Sequence, residues 1–177
     1  IDPVQTALAR KADIWLQIKP GHDGLLAMAM INEIIANKLF DAEFVEQYTL
    51  GFEELRQVAA QYPLEQVAKQ LWLQPEQIRE IAHLYATIKP AAIIDGNGLD
   101  MHREVFDTTR AIAMLRALTG NLDKPGGDVL PQPIPARNIQ LAERLPAAAK
   151  AITCDYPLLN TFSETWGNQV QGCVVDA

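Results

Sequence analysis

Two short stretches hold the side chains best suited to meeting a ligand. The first is Lys19-Pro20-Gly21-His22-Asp23-Gly24; the second is Asp95-Gly96-Asn97-Gly98-Leu99-Asp100-Met101-His102. Glycine lets backbone come close to a bound molecule. A carboxylate such as that of Asp23 can accept two hydrogen bonds from paired donors. Asp is also a preferred helix N-cap, so a capping role for Asp23 stands beside a binding role. Asp2, followed by Pro3, is a third candidate. At a strand exit such a carboxylate can accept hydrogen bonds from a ribose or a base edge. Asp-Pro is equally common turn chemistry.

These residues need rigid elements behind them. Asp13–Ile18 is rich in β-branched and aromatic residues and stops at a turn signal, so a strand is expected there. Leu25–Ile35 is apolar on almost every face except at Asn32 and Glu33. It reads as a helix covered on several sides. Pro90 then ends a helix, and Ala91–Asp95 reads as a second short strand. The next helix is expected over Arg103–Leu118, with Gly120 as its terminator. Two strand–turn–helix units in series imply parallel strands, because parallel pairing needs crossover connections. The fold class expected is α/β, an incomplete Rossmann-like domain richer in helix than in strand. In open α/β sheets such turns lie where ligands bind, and a helix N-terminus offers free N–H groups.

Between the two units the pattern is a set of small helices. Thr6–Ala12 reads as a short helical turn, Asp41 as the cap of a helix carrying Phe44, Val45 and Tyr48, and Gly51–Gln61 as the next. Pro63 and Pro75 open two more, the latter carrying Ile78, Ile81, His83 and Tyr85. This layer reads as packing without chemistry. His83 has no second ligand at metal spacing and reads as structural. After the Asn121–Gly127 loop, Pro131–Pro135 reads as extended, Ala136–Lys150 as partly helical, and Thr153–Ala177 shows no clear period.

Composition narrows the function classes. The chain has 177 residues, 49% apolar and 21% charged, as expected of a globular domain. Its net charge is −7 with no basic block, which argues against nucleic acid as a partner. No apolar run approaches the ~20 residues needed to span a membrane. Cys154 and Cys173 do not form a CxxC pair, so a zinc or iron–sulfur site is not expected here, and both read as free thiols. Gly96-Asn97-Gly98 lacks the third glycine of the dinucleotide fingerprint, which weakens a nicotinamide reading. The first residues read as a strand end and the last as the middle of an element, so the chain is expected to be a piece of a longer protein.

The two units, their order and their turns resemble the large catalytic subunit of the molybdopterin oxidoreductases, the dimethyl-sulfoxide-reductase superfamily. The residues that carry the likeness are IDPVQT at Ile1–Thr6, ADIWLQIKPGHDG at Ala12–Gly24 and DGNGLDMH at Asp95–His102. The most specific is ALTGNLDKPGGDV at Ala117–Val129, and the match is less distinct over Pro131–Ala177. The resemblance implies a bis(molybdopterin guanine dinucleotide) cofactor holding molybdenum or tungsten in the parent protein. It implies a place at a guanosine end of that cofactor for Asp2, Pro3, Gly21, His22 and Asp23. It implies a place nearer the pterin and metal for Asn97, Gly98 and Met101.

The chain departs from the family pattern at two points. Val4-Gln5 stand where basic residues are frequent, which weakens any phosphate contact there. His22 stands where Thr is frequent. The family's cysteine motif for an iron–sulfur centre, its segment holding the metal and its C-terminal barrel are not in this chain. The expected partners are therefore the remaining domains of the parent and electron-transfer subunits. The chain alone is expected to hold no metal and to show no redox turnover. Two other functions compete with this reading: a Rossmann-type nucleotide-binding module and a ligand-free structural domain.

Overall fold

Helix α1 (Asp23–Ala36) is the element that the others cover. In the computed structural model, residues 1–102 and 104–130 are described. All of them belong to a unit spanning Ile1–Pro131. Leu26, Ala27, Ala29, Met30, Ile31, Ile34 and Ile35 of α1 are buried, which takes in most of its circumference. Such a helix needs cover on several sides. The cover comes from α3 (Phe52–Ala59), α4 (Leu64–Leu71), α5 (Pro75–Thr87) and α7 (Val105–Leu118). Two shorter helices, α2 (Ala42–Tyr48) and α6 (Asn97–Asp100), pack on α7. The Thr6–Ala12 turn is a 3₁₀ helix over Ala9–Lys11.

Local chemistry sets most of the helix ends. Asp41 caps α2, its Oδ1 accepting the Phe44 N–H at 3.0 Å. Pro75 opens α5, and the Gln77 side chain accepts the Gln74 N–H at 2.9 Å. α4 buries Leu64, Val67, Ala68 and Leu71, the i, i+3, i+4, i+7 stripe of a helix with one wet face. α7 ends at Thr119, and Gly120 follows at φ +63. A Cβ on Gly120 would run into the Asp41 carboxylate, so glycine is required there twice over.

Among the described residues neither Asp13–Ile18 nor Ala91–Asp95 forms a strand ladder; the one β-type pairing is an isolated bridge between Leu122 and Asp128. The parallel sheet expected from the sequence is thus not seen, and a helix-rich unit is. The first segment nonetheless keeps a strand-like burial pattern. Leu16 and Ile18 are buried in the core while Gln17 is exposed, the period of two that a strand imposes. A ladder needs a neighbour along its length, and here single bonds do that work. The Asp2 N–H donates to the Leu16 carbonyl at 3.1 Å, and the Lys19 N–H to the Leu71 carbonyl at 3.1 Å.

The Tyr85 hydroxyl is buried beside Thr119 and Asn121 without meeting hydrogen-bond geometry to either. Burial pushes its pKa above the ordinary tyrosine range. The expectations for Pro131–Pro135, Ala136–Lys150, Thr153–Ala177 and the two cysteines fall outside the described residues.

Candidate functional site

The first glycine turn is held at both ends. The His22 N–H donates to the Lys19 carbonyl at 3.3 Å, and Gly21 sits at φ +75, where a side chain is strained. A Cβ on Gly21 would lie 3.1 Å from His102 Nδ1. Three residues on, a Cβ on Gly24 would lie 2.8 Å from Thr108 Oγ1 of α7. The start of α1 therefore lies against the start of α7 and the residues before it, and small residues permit that approach.

The helix begins one residue earlier than a cap at Asp23 would require. The first helical bond runs from the Leu26 N–H to the His22 carbonyl at 3.1 Å, so His22 holds the cap position. Its side chain makes no capping bond; its Nδ1 lies 2.9 Å from the Pro20 carbonyl oxygen instead. Asp23 is the first helical residue, where a short side chain no longer reaches back to the next N–H groups as a cap does. Its carboxylate takes part in no hydrogen bond or ion pair among the described residues. A carboxylate in the first turn is favoured by the helix dipole, and this one meets no donor among the described residues.

Asp2 is more engaged. Its Oδ1 accepts the Val4 N–H at 2.8 Å, the turn chemistry expected of Asp-Pro. Trp15 Nε1 donates to the Asp2 carbonyl at 3.0 Å and Gln17 Nε2 to the Pro3 carbonyl at 3.1 Å. Residues 2 and 3 thus run beside 15 to 17 in the same direction.

The second glycine turn opens into α6, with the Leu99 N–H donating to the Gly96 carbonyl at 2.9 Å. Among the described residues a Cβ on Gly96 or Gly98 would meet no atom within 4 Å, and Met101 is 82% exposed. Packing within this unit does not demand glycine at either position. The segment leading into the turn is held from α7 and the loop after it. The Ile93 carbonyl accepts from Arg116 Nη2 at 2.9 Å, and the Ile93 N–H donates to Asp128 Oδ2 at 3.2 Å. The Ala91 N–H donates to Asn121 Oδ1 at 3.3 Å, and Asn121 Nδ2 donates to the buried Thr119 hydroxyl at 2.9 Å. The family-like stretch Ala117–Val129 therefore works here as a clamp on Ala91–Ile93.

A groove of about 900 Å³ runs between α1, α3 and α7. Gly21, His22, Gly24, His102 and Thr108 line one end, and Leu25, Met28, Phe52 and Met114 line its apolar wall. Of the residues singled out from the sequence, Gly21 and His22 reach this groove; Asp2, Pro3, Asp23, Asn97, Gly98 and Met101 lie outside its lining. His102, Thr108, Arg116 and Asp128 belong to the site region and were not singled out. His102 closes the DGNGLDMH motif, so a signal for it existed; the other three act through distant pairing. Among the described residues no group of three or more His, Cys, Asp or Glu is arranged to hold a metal ion. No helix among them is long and apolar enough to cross a membrane.

The molybdopterin oxidoreductase family model matches residues 1–155. The chain belongs to this family. It is 38% identical over 166 residues to acetylene hydratase of Syntrophotalea acetylenica, covering 90% of this chain and 23% of that protein. It is 38% identical over 131 residues to the F420-dependent formate dehydrogenase subunit alpha of Methanocaldococcus jannaschii, covering 74% of this chain and 20% of that protein. Among solved structures, acetylene hydratase from Pelobacter acetylenicus superposes with a TM-score of 0.66 at 41% identity, over 68% of this chain and 16% of that one. This molybdopterin oxidoreductase chain thus spans about a fifth of the length of the curated relatives it matches.

Proposed function

We propose that the chain is part of the catalytic subunit of a molybdopterin-dependent oxidoreductase and helps to bind the guanine end of its cofactor. The observation that carries this reading is the Asp23 carboxylate, unpartnered among the described residues, in the first turn of α1 beside a glycine turn at positive φ. A carboxylate can accept from both N1–H and the exocyclic amine of guanine, whereas adenine offers no such pair on that edge. The first N–H groups of α1 have no intrahelical partner and favour an anionic neighbour. Asp2, whose Oδ1 already accepts the Val4 N–H, and Pro3 are assigned to the same guanine end, and Gly21 and His22 form the turn itself.

Asn97, Gly98 and Met101 are assigned to the pterin side. The open space around Gly96 and Gly98 fits a ligand brought close to the backbone. The cofactor, bis(molybdopterin guanine dinucleotide) with molybdenum or tungsten, supplies two-electron chemistry at the metal when bound. The chain's own task is to bind and orient it. The metal-holding segment, an iron–sulfur cluster, the barrel and any electron-transfer subunits belong to the rest of the parent. Without them the chain alone holds no metal and turns over no substrate.

A second reading of the parent's reaction is favoured by one observation: the relative matched over 90% of this chain is named a hydratase, not a dehydrogenase. Reduced-viologen oxidation and acetylene hydration, assayed side by side on the parent, separate the two.

The site assignment is tested by calorimetric titration with GDP and ADP, on the wild type and on Asp23→Asn. GDP is expected to bind, weakly and in preference to ADP. The substitution is expected to cost about 1.5–3 kcal/mol, the range for a charge-assisted contact. Equal binding of the two nucleotides, or GDP binding untouched by the substitution, overturns the assignment.

A further inference from the structure

We propose that Arg116 is a positioning residue that aims the Gly96-Asn97-Gly98 turn, an inference that rests on the reading of that turn as a cofactor contact. Ala91–Asp95 has no ladder partner among the described residues, yet both backbone groups of Ile93 are satisfied. Arg116 Nη2 donates to the Ile93 carbonyl at 2.9 Å and to Asp95 Oδ1 at 2.7 Å. Arg116 Nε lies 3.3 Å from Asp128 Oδ2, the oxygen that accepts the Ile93 N–H. The Arg116 and Asp128 side chains are mostly buried, at 16% and 18% exposure, while Asp95 sits at the surface. One guanidinium thus ties a backbone carbonyl and two carboxylates to the same point on α7.

The consequence follows from the position of Asp95. It immediately precedes Gly96, so fixing its carboxylate fixes the direction in which the chain enters the turn. The turn has little packing of its own: Gly96 and Gly98 face open space, and Met101 is exposed. The fork of the planar guanidinium sets Nη2 on both the Ile93 carbonyl and Asp95 and turns Nε toward Asp128 as an ion pair that falls short of hydrogen-bond geometry. An ammonium is a point charge on a flexible stem and lacks that fork. Loss of the fork leaves the Ile93 carbonyl and Asp95 without their shared donor, while α1 and its core contacts are untouched.

The test uses the full-length parent with its cofactor, comparing Arg116→Lys, Arg116→Gln and Asn97→Ala with the wild type. In Arg116→Lys, amide hydrogen exchange over residues 91–98 is expected to rise about tenfold or more, with α1 and α5 unchanged. The cofactor is expected to leave faster, while the unfolding midpoint hardly moves. Unaltered exchange over 91–98, or a rise shared equally by α1, overturns the inference. If Arg116→Gln does not fold, Asp95→Asn keeps the shape and removes one charge; unaltered exchange over 94–98 in that variant is equally fatal. Asn97→Ala separates this inference from the reading beneath it. If it leaves cofactor release unchanged, the turn is not a cofactor contact, and exchange alone decides the role of Arg116. If it speeds release and Arg116→Lys does not, the positioning role is refuted.

Discussion

His83 Nε2 lies 3.0 Å from Glu33 Oε1, joining α5 to α1 across fifty residues of sequence. Glu33 is one of the two polar residues after the first turn of an otherwise apolar helix, and its side chain is only 12% exposed. It also accepts from Asn37 Nδ2 at 2.9 Å and lies 3.4 Å from Arg79 Nε. The polar break in the α1 pattern is therefore the site of a clamp, and His83 is structural because Glu33 occupies it.

Truncating Glu33 leaves several donors without their shared acceptor. Glu33→Ala is expected to destabilise the chain by about 1–3 kcal/mol. His83→Ala, on a side chain 40% exposed, is expected to cost less. Urea denaturation of the two variants checks the order; a larger loss for His83→Ala would contradict it.

Asp41 supplies a pH dependence. The hydrogen bond from the Phe44 N–H holds its carboxyl below the ordinary value of 3.8, with Lys89 and Lys124 adding to the effect and partial burial opposing it. A lowered folded pKa stabilises the fold above the unfolded value and loses that contribution as pH falls through the folded one. Asp41→Asn keeps a capping side chain but loses the charge. Its stability deficit is expected to be present at neutral pH and to shrink below about pH 4. Denaturation midpoints at pH 7, 4 and 2.5 measure this, and a deficit independent of pH would be incompatible with it.

Two glycines are expected to behave oppositely. Gly120→Ala meets both a positive φ and the Asp41 carboxylate, and is expected to cost about 2 kcal/mol or more. Gly98→Ala meets open space within a helical turn and is expected to change stability by no more than about 0.5 kcal/mol. Thermal unfolding of both compares them directly. In the full-length parent Gly98→Ala is further expected to weaken cofactor retention, an effect that packing does not predict.

Some of this was legible locally. A side chain reaching three residues along reveals the cap at Asp41, and the fixed φ and missing N–H of Pro63 and Pro75 mark two further helix starts that the structure contains. Gly120 marks a helix end because it adopts a positive φ at no steric cost. α1 starts at Asp23, two residues before the expected Leu25, and His22 rather than Asp23 holds the cap position. The period-two burial of Leu16, Gln17 and Ile18 was readable, whereas the partner of an extended segment is a non-local fact.

The sequence by itself determined the helices other than α6, their order, the apolar character of α1 and the family to which the chain belongs. Those depend on residue type and short-range spacing, which act before any distant contact forms. Only the tertiary structure decided that Gly21 lies against His102, that Glu33 meets His83, and that Arg116 and Asp128 hold Ile93 from both sides. Each of these pairs residues far apart in the chain. Burial removes water as their partner, and the fold alone selects which group replaces it.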